Sequence, residues 1–128
     1  MKNIKISRRE QQGVYVLEKL GWKFHHMGIP TSKPMKNERY IPHLKMYVSG
    51  FESNPYGIEW MRFEEDCPLP DIIKEVPHPA FELENLDAVL SEFDFDILVE
   101  PNAPSEAVRV AMILHNGAPV ELMEFSKK

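Results

Sequence analysis

His78-Pro79-Ala80-Phe81-Glu82-Leu83-Glu84-Asn85-Leu86-Asp87 is the stretch from which the fold of this chain can be read. Alternation places Pro79, Phe81 and Leu83 on one face of an extended segment and His78, Ala80 and Glu82 on the other, which is the period of a strand. Asn85 then stands where a helix needs an N-cap, and Leu86, Leu90 and Phe93 recur at the spacing of a short amphipathic helix. Downstream, strands are predicted at Phe95 to Val99, Val108 to Leu114 and Val120 to Phe125. Asn116-Gly117 is a hairpin turn signal between the last two. The second half therefore reads β-α-β-β-β.

Working outward, the first half yields the same order. Asn3 to Ile6 is predicted as a short strand, followed by a helix from Ser7. Ser7 and Glu10 form a capping box, Val14, Leu17 and Leu20 supply the apolar face, and Gly21 provides the stop. Trp22 to Gly28 reads as the second strand, residues 29–42 as a loop with three prolines, and Leu44 to Gly50 and Tyr56 to Phe63 as the third and fourth strands. The segment from Glu64 to Pro77 is acidic, then proline-rich, and reads as a connector with one short helical turn near Ile72. Residues match between the halves as well. Ile58-Glu59-Trp60-Met61-Arg62-Phe63 lies over Val120-Glu121-Leu122-Met123-Glu124-Phe125, Leu44-Lys45-Met46 over Val108-Arg109-Val110, and Leu17-Glu18-Lys19-Leu20 over Leu90-Ser91-Glu92-Phe93. The expectation is an α+β fold in which modules 1–64 and 78–128, joined by linker 65–77, make one compact domain.

Composition narrows the classes. With 128 residues, 43% apolar and 27% charged, the chain has the balance of an ordinary globular domain. A net charge of −5 without clustered Lys and Arg argues against a nucleic-acid partner. Short apolar runs argue against a membrane span. The charged N-terminus with no apolar run behind it argues against a secretory signal, and the single Cys67 fits a reducing, cytoplasmic compartment. Cys67 has no recognisable nucleophile partner and reads as incidental.

The segment from His78 to Asp87 resembles the H-h-A-F-x-V-x-D-h-D opening of a vicinal oxygen chelate (glyoxalase-like) module, where h is apolar. Gly117-Ala118-Pro119-Val120-Glu121-Leu122-Met123-Glu124 resembles its closing strand. The closest pattern is that of glyoxalase I or methylmalonyl-CoA epimerase-type members. The resemblance implies two βαβββ modules forming a U-shaped mixed sheet around a cleft, with a His on each opening strand and a Glu on each closing strand. Carried over, His78, Glu121 and Glu59 fall on three of four metal-ligand positions, and the fourth falls on Asn3, a weaker, neutral donor. Imidazole with carboxylate suits Zn, Ni, Co, Fe or Mn. Two carboxylates in one cleft repel unless a cation, a proton or a basic group lies between them, so Lys5, on the strand face of Asn3, is an alternative to the metal. His26 and His43 are further candidates for the fourth ligand. His25 and His26 read first as half-exposed strand residues, and His43 as a strand-start residue after a proline.

Glu59 and Glu121 stand at equivalent repeat positions beside His78, which favours function over a surface-facing strand residue. Lys45, Tyr47, Arg109, Lys5 and His43 are candidate contacts for an anionic substrate, each equally readable as solvent-facing. Met46, Met61, Met112 and Met123 read as core packing. The resemblance implies a metal-dependent lyase or isomerase in which Glu59 or Glu121 is the general base and a Lewis acid stabilises an enolate. A metal-free module that sequesters a small apolar compound is the alternative, and an extradiol-type dioxygenase a third. The expected partners are a small-molecule substrate and, given the apolar sheet faces of so short a chain, a second copy in a homodimer.

Overall fold

The computed structural model describes residues 13–127. The predicted strand at Asn3 to Ile6 and the first part of the predicted helix lie outside these residues. The described elements are α1 (Tyr15–Glu18), β1 (Lys23–Pro30), β2 (Arg39–Ile41), β3 (Met46–Ser49), β4 (Ile58–Phe63), α2 (Asp71–Glu75), β5 (His78–Glu82), α3 (Leu86–Glu92), β6 (Asp96–Ser105), β7 (Val108–His115) and β8 (Ala118–Phe125). A 3-10 turn at Phe51–Ser53 leads from β3 towards β4. Among the described residues no helix is long and apolar enough to cross a membrane.

The strands form one curled mixed sheet in the order β2-β3-β4-β1-β5-β8-β7-β6. Its centre is the antiparallel pair β1/β5. On either side of that pair the same plan runs outward. β1 pairs parallel with β4 and β5 pairs parallel with β8, while the remaining neighbours are antiparallel. The α+β class and the cleft-forming sheet agree with the sequence expectation.

The second half keeps the predicted β-α-β-β-β order. Asn85 caps α3 by accepting a hydrogen bond from the Ala88 N–H at 3.0 Å. Asn116 and Gly117 both have positive φ, 49° and 84°, the backbone of a type I′ hairpin. The first half departs from expectation. The strand predicted as second, Trp22 to Gly28, is the first described strand and lies at the centre of the sheet. The helix α1 precedes β1, as in the predicted order, and the described residues between β1 and β2 form no helix. Part of the predicted 29–42 loop is also strand, since β1 runs on to Pro30 and β2 occupies Arg39–Ile41.

Burial divides the sheet into two faces. Behind the second half, Trp22, Leu83, Leu86, Ala111, Ile113 and Leu122 form a core, with Val16, Leu20, Val89 and Leu90 from the segments around α1 and α3 packed on it. On the concave face, Ile41, Met46, Val48 and Met61 form a second cluster, and Ala80, Val108, Val110 and Met123 a third. The predicted packing methionines Met46, Met61, Met112 and Met123 are all buried. They also line the cleft.

Candidate metal centre

Strand register determines which side chains meet at the centre of the cleft. Gly28 pairs with both His78 and Glu59; Ala80 pairs with both His26 and Glu121. A single two-fold operation across the β1/β5 pair therefore exchanges His26 with His78, Gly28 with Ala80, and Glu59 with Glu121. The four candidate side chains come from β1, β4, β5 and β8 of one chain.

Nε2 of His78 lies 2.9 Å from Oε1 of Glu121. Nε2 of His26 lies 3.4 Å from Glu59 Oε1 and 3.6 Å from Glu121 Oε1. Donor atoms of His26, His78 and Glu121 all fall within 4.8 Å of one another. Neighbouring donors around an ion about 2.1 Å from each would be about 3.0–3.4 Å apart in octahedral or tetrahedral arrangement. The observed spacings bracket that range. Both imidazoles are buried, at 3% and 1% exposure, so the site is largely shielded from water. The residues fit a divalent ion by donor type, spacing and burial.

His25 was not among the sequence candidates. Its Nδ1 lies 2.8 Å from Nδ1 of His26, so one of the two nitrogens must donate. Burial and the neighbouring His26 lower the His25 pKa, keeping it the neutral acceptor. His26 Nδ1–H therefore donates to His25, and Nε2 of His26 is turned into the cleft. The His25 ring is itself held against Phe51, stacked at 4.8 Å and 5°. His78 has no such helper, and its buried Nδ1 lacks a partner among the described residues. Its ring is placed by close packing on Gly28 instead. A His25→Phe chain keeps a ring against Phe51 and removes the acceptor. Its divalent-ion affinity is expected to fall about tenfold in calorimetric titration, the low end for loss of a ligand's orienting partner. Thermal stability in chelator should stay nearly unchanged. Unchanged ion affinity would show that His25 does not orient His26.

The two carboxylates are not equivalent. Burial alone would raise the Glu121 pKa, but hydrogen bonding and charge from His26 and His78 override it and bring it down to about 2. Burial is the largest influence on Glu59, and its pKa rises despite the attraction of His26, with the Glu121 charge adding to the rise. His26 is raised, because Glu121 and Glu59 outweigh the cost of burying its charge. These directions set the pH dependence of the metal-free fold. The His26 contribution is complete below the ordinary imidazole value and is lost as pH rises through its elevated pKa. Ionising buried Glu59 removes stability in the same direction. The Glu121 contribution is present above the ordinary carboxylate range and is lost as pH falls towards 2. The lowered His25 pKa acts the opposite way, its contribution being complete only above the ordinary imidazole value, so in chelator the melting temperature is expected to fall by a few degrees between about pH 7 and about pH 8.5. A saturating divalent ion should abolish that fall. A flat or rising profile in chelator would contradict a protonated His26.

The remaining sequence candidates separate clearly. His78, Glu59 and Glu121 converge, and His26 joins them, against the expectation of a half-exposed strand residue. Asn3 and Lys5 lie outside the described residues. The strand beside β4, where the opening-strand donor was expected, is β1, and it brings His26. Tyr47 pairs with Arg62 and Arg109 with Glu124, so both face away from Glu59 and Glu121. Tyr47 lies under the Arg62 guanidinium at 4.1 Å, and Arg109 is held by Asp87 through two hydrogen bonds of 3.2 Å. Lys45 bonds Asp66 at the surface, and His43 is exposed in the turn before β3. None of Lys45, Tyr47, Arg109 or His43 lines the cleft. The sequence signal for His26 is the triplet His26-Met27-Gly28 set against His78-Pro79-Ala80, a histidine two residues before a small residue in each half.

Neither family models nor curated proteins match this sequence. Among solved structures, a hypothetical protein from Bacillus halodurans C-125 is similar, with TM-score 0.63 and 17% identity over 84% of this chain and 96% of that one. The likeness is one of fold. It shows that the curled sheet recurs in another chain over nearly that chain's whole length, and what happens in the cleft has to come from the side chains.

Proposed function

We propose that this chain is a metal-dependent small-molecule lyase or isomerase built as a duplicated module of the vicinal oxygen chelate type. The observation that carries the proposal is the two-fold register that brings His26, His78 and Glu121 within 4.8 Å of one another, with Glu59 3.4 Å from His26. In this reading β1–β4 and β5–β8 are two copies of one plan, the second keeping its helix and the first replacing it with residues 31–38.

His26, His78 and Glu121 would hold Zn, Ni, Co, Fe or Mn, with Glu59 as the fourth, looser donor. Bound there, a divalent ion supplies Lewis-acid stabilisation of negative charge on a substrate carbonyl oxygen. Glu121, engaged by two imidazoles and with a depressed pKa, remains a carboxylate throughout. Glu59 has one imidazole contact and a raised pKa, which suits it to accept and return a proton at the carbon next to that carbonyl. In the metal-free chain His26, oriented by His25, keeps the two carboxylates from repelling each other. The apolar walls exclude water that would otherwise quench the carbanionic charge.

Two measurements test the reading together. Elemental analysis of protein purified without chelator should find about one divalent ion per chain. The loaded protein should catalyse exchange of a carbonyl-adjacent C–H for solvent deuterium, and Glu59→Gln should lower that rate by about 100-fold or more while retaining most of the metal. A protein that holds no divalent ion and gains no thermal stability from any of them would leave the metal-free sequestering function instead.

A further inference from the structure

The cleft that contains the candidate metal centre has a volume of about 590 Å³, within the range of about 300–1,000 Å³ that holds a drug-sized molecule. Its two walls differ. The wall from β6, β7 and β8 is mainly apolar, with Val99, Val108, Val110, Met112, Met123 and Phe125 lining it and Asn102, Ser105 and Glu121 as its polar side chains. The opposite wall carries Arg39. Arg39 pairs with Val48 and so shares the inward face with that residue and with Ile41, two positions along β2.

Arg39 is the only Lys or Arg among the described residues that line the cleft, and its situation differs from that of the other described arginines. Arg62 is clamped by Glu38 through two hydrogen bonds of 2.8 and 2.7 Å, and Arg109 by Asp87. Among the described residues Arg39 has no carboxylate within ion-pair distance. It influences Glu59 only through longer-range charge. A guanidinium that faces a cleft, with its neighbours of the same type already paired, offers a planar two-pronged donor to an incoming anion.

We propose that Arg39 is the specificity-determining residue of the cleft, and that the substrate is a compact apolar molecule ending in a single carboxylate. The carboxylate meets Arg39, the apolar body lies on the β6–β8 wall, and the reacting carbonyl reaches the His26/His78/Glu121 centre. That last placement rests on the proposed metal function, whereas the Arg39 contact does not. A single guanidinium matches one carboxylate. A polyanionic conjugate such as a nucleotide or an acidic peptide would bring more negative charge than Arg39, the one cation among the described cleft residues, can balance beside Glu52, Glu59 and Glu121.

The test uses three probes of one shape: 4-phenylbutanoate, 4-phenylbutanamide and 4-phenylbutylammonium. Each is titrated calorimetrically into the zinc-treated and the chelator-treated protein. The acid is expected to bind at least about tenfold more tightly than the amide in both states, and the ammonium most weakly. Arg39→Gln should bring the acid-to-amide ratio to about one with amide affinity unchanged within about twofold, and Arg39→Lys should leave an intermediate ratio. A ratio that survives Arg39→Gln overturns the proposal. So does a preference for the acid that vanishes on chelation alone, since the carboxylate would then sit on the metal. Preference for the ammonium, or no binding by any probe at about 1 mM, overturns it as well. If the protein takes up no metal yet the Arg39-dependent preference persists, the metal function fails and the carboxylate site stands.

Discussion

A chain carrying His78→Ala is expected to lose divalent-ion affinity by at least about 100-fold and, in chelator, to unfold about 2 kcal/mol more easily than the parent. The first effect follows from removing one of three imidazole and carboxylate donors that meet within 4.8 Å. The second arises because Glu121 loses its 2.9 Å partner while staying largely buried. Breaking a fully buried pair costs about 3–5 kcal/mol. The estimate here is lower because Glu121 keeps His26 at 3.6 Å and its side chain is 15% exposed. Urea unfolding in chelator measures the stability term, and calorimetric titration with zinc measures the affinity. Zinc affinity within threefold of the parent would remove His78 from the ligand set.

The second large effect is expected from a single methyl group. A Cβ on Gly28 would stand 2.6 Å from Cε1 and 2.9 Å from Nε2 of His78, and 3.1 Å from the Met61 methyl. The Gly28 backbone cannot retreat, because it is hydrogen-bonded into the sheet between β4 and β5. The imidazole must therefore turn out of line, in a site where its exposure is 1%. Gly28→Ala is expected to cost about 1–3 kcal/mol by overpacking and to weaken metal binding by at least about tenfold. Gly117→Ala is the control. It meets nothing within 4 Å but has φ +84°, so it should cost about 1 kcal/mol of backbone strain and leave the metal untouched. Equal metal affinity in the two variants would show that His78 tolerates displacement.

Much of the second half was legible before any coordinates. Asn85 caps its helix and Asn116-Gly117 makes its turn, because each depends on residues near in sequence, and His78 and Glu121, 43 residues apart, meet where the two resembling motifs led one to expect. The first half was harder to read. The segment around His26 has the alternation of a strand wherever that strand sits in a sheet, so its local pattern could not say that it pairs with β5 at the centre. His26 looked like an ordinary strand histidine for the same reason. Lys45 lies in the turn before β3, with φ 52°, and Tyr47 and Arg109 failed on register. Once Glu59 and Glu121 face inward, Tyr47 opposite Arg62 and Arg109 opposite Glu124 are carried to the outer face. Met46, Val48, Val108 and Val110 take the inner one.

By itself the amino-acid order located the strands of the second half, although β6 runs to Ser105 rather than ending at Val99, and the cap and turn beside them. These are encoded by period-two alternation and by turn and cap residues, which act over a few positions, whereas the two closing-strand glutamates and the opening histidine came from the resemblance. Only the tertiary structure decided that β1 is a central strand, that His26 completes the cluster with His25 behind it, and that Arg39 is the cation facing the cleft. Each of those depends on which strand lies beside which and in what register. A shift of one residue in that pairing exchanges the two faces of a strand, and no local pattern records it.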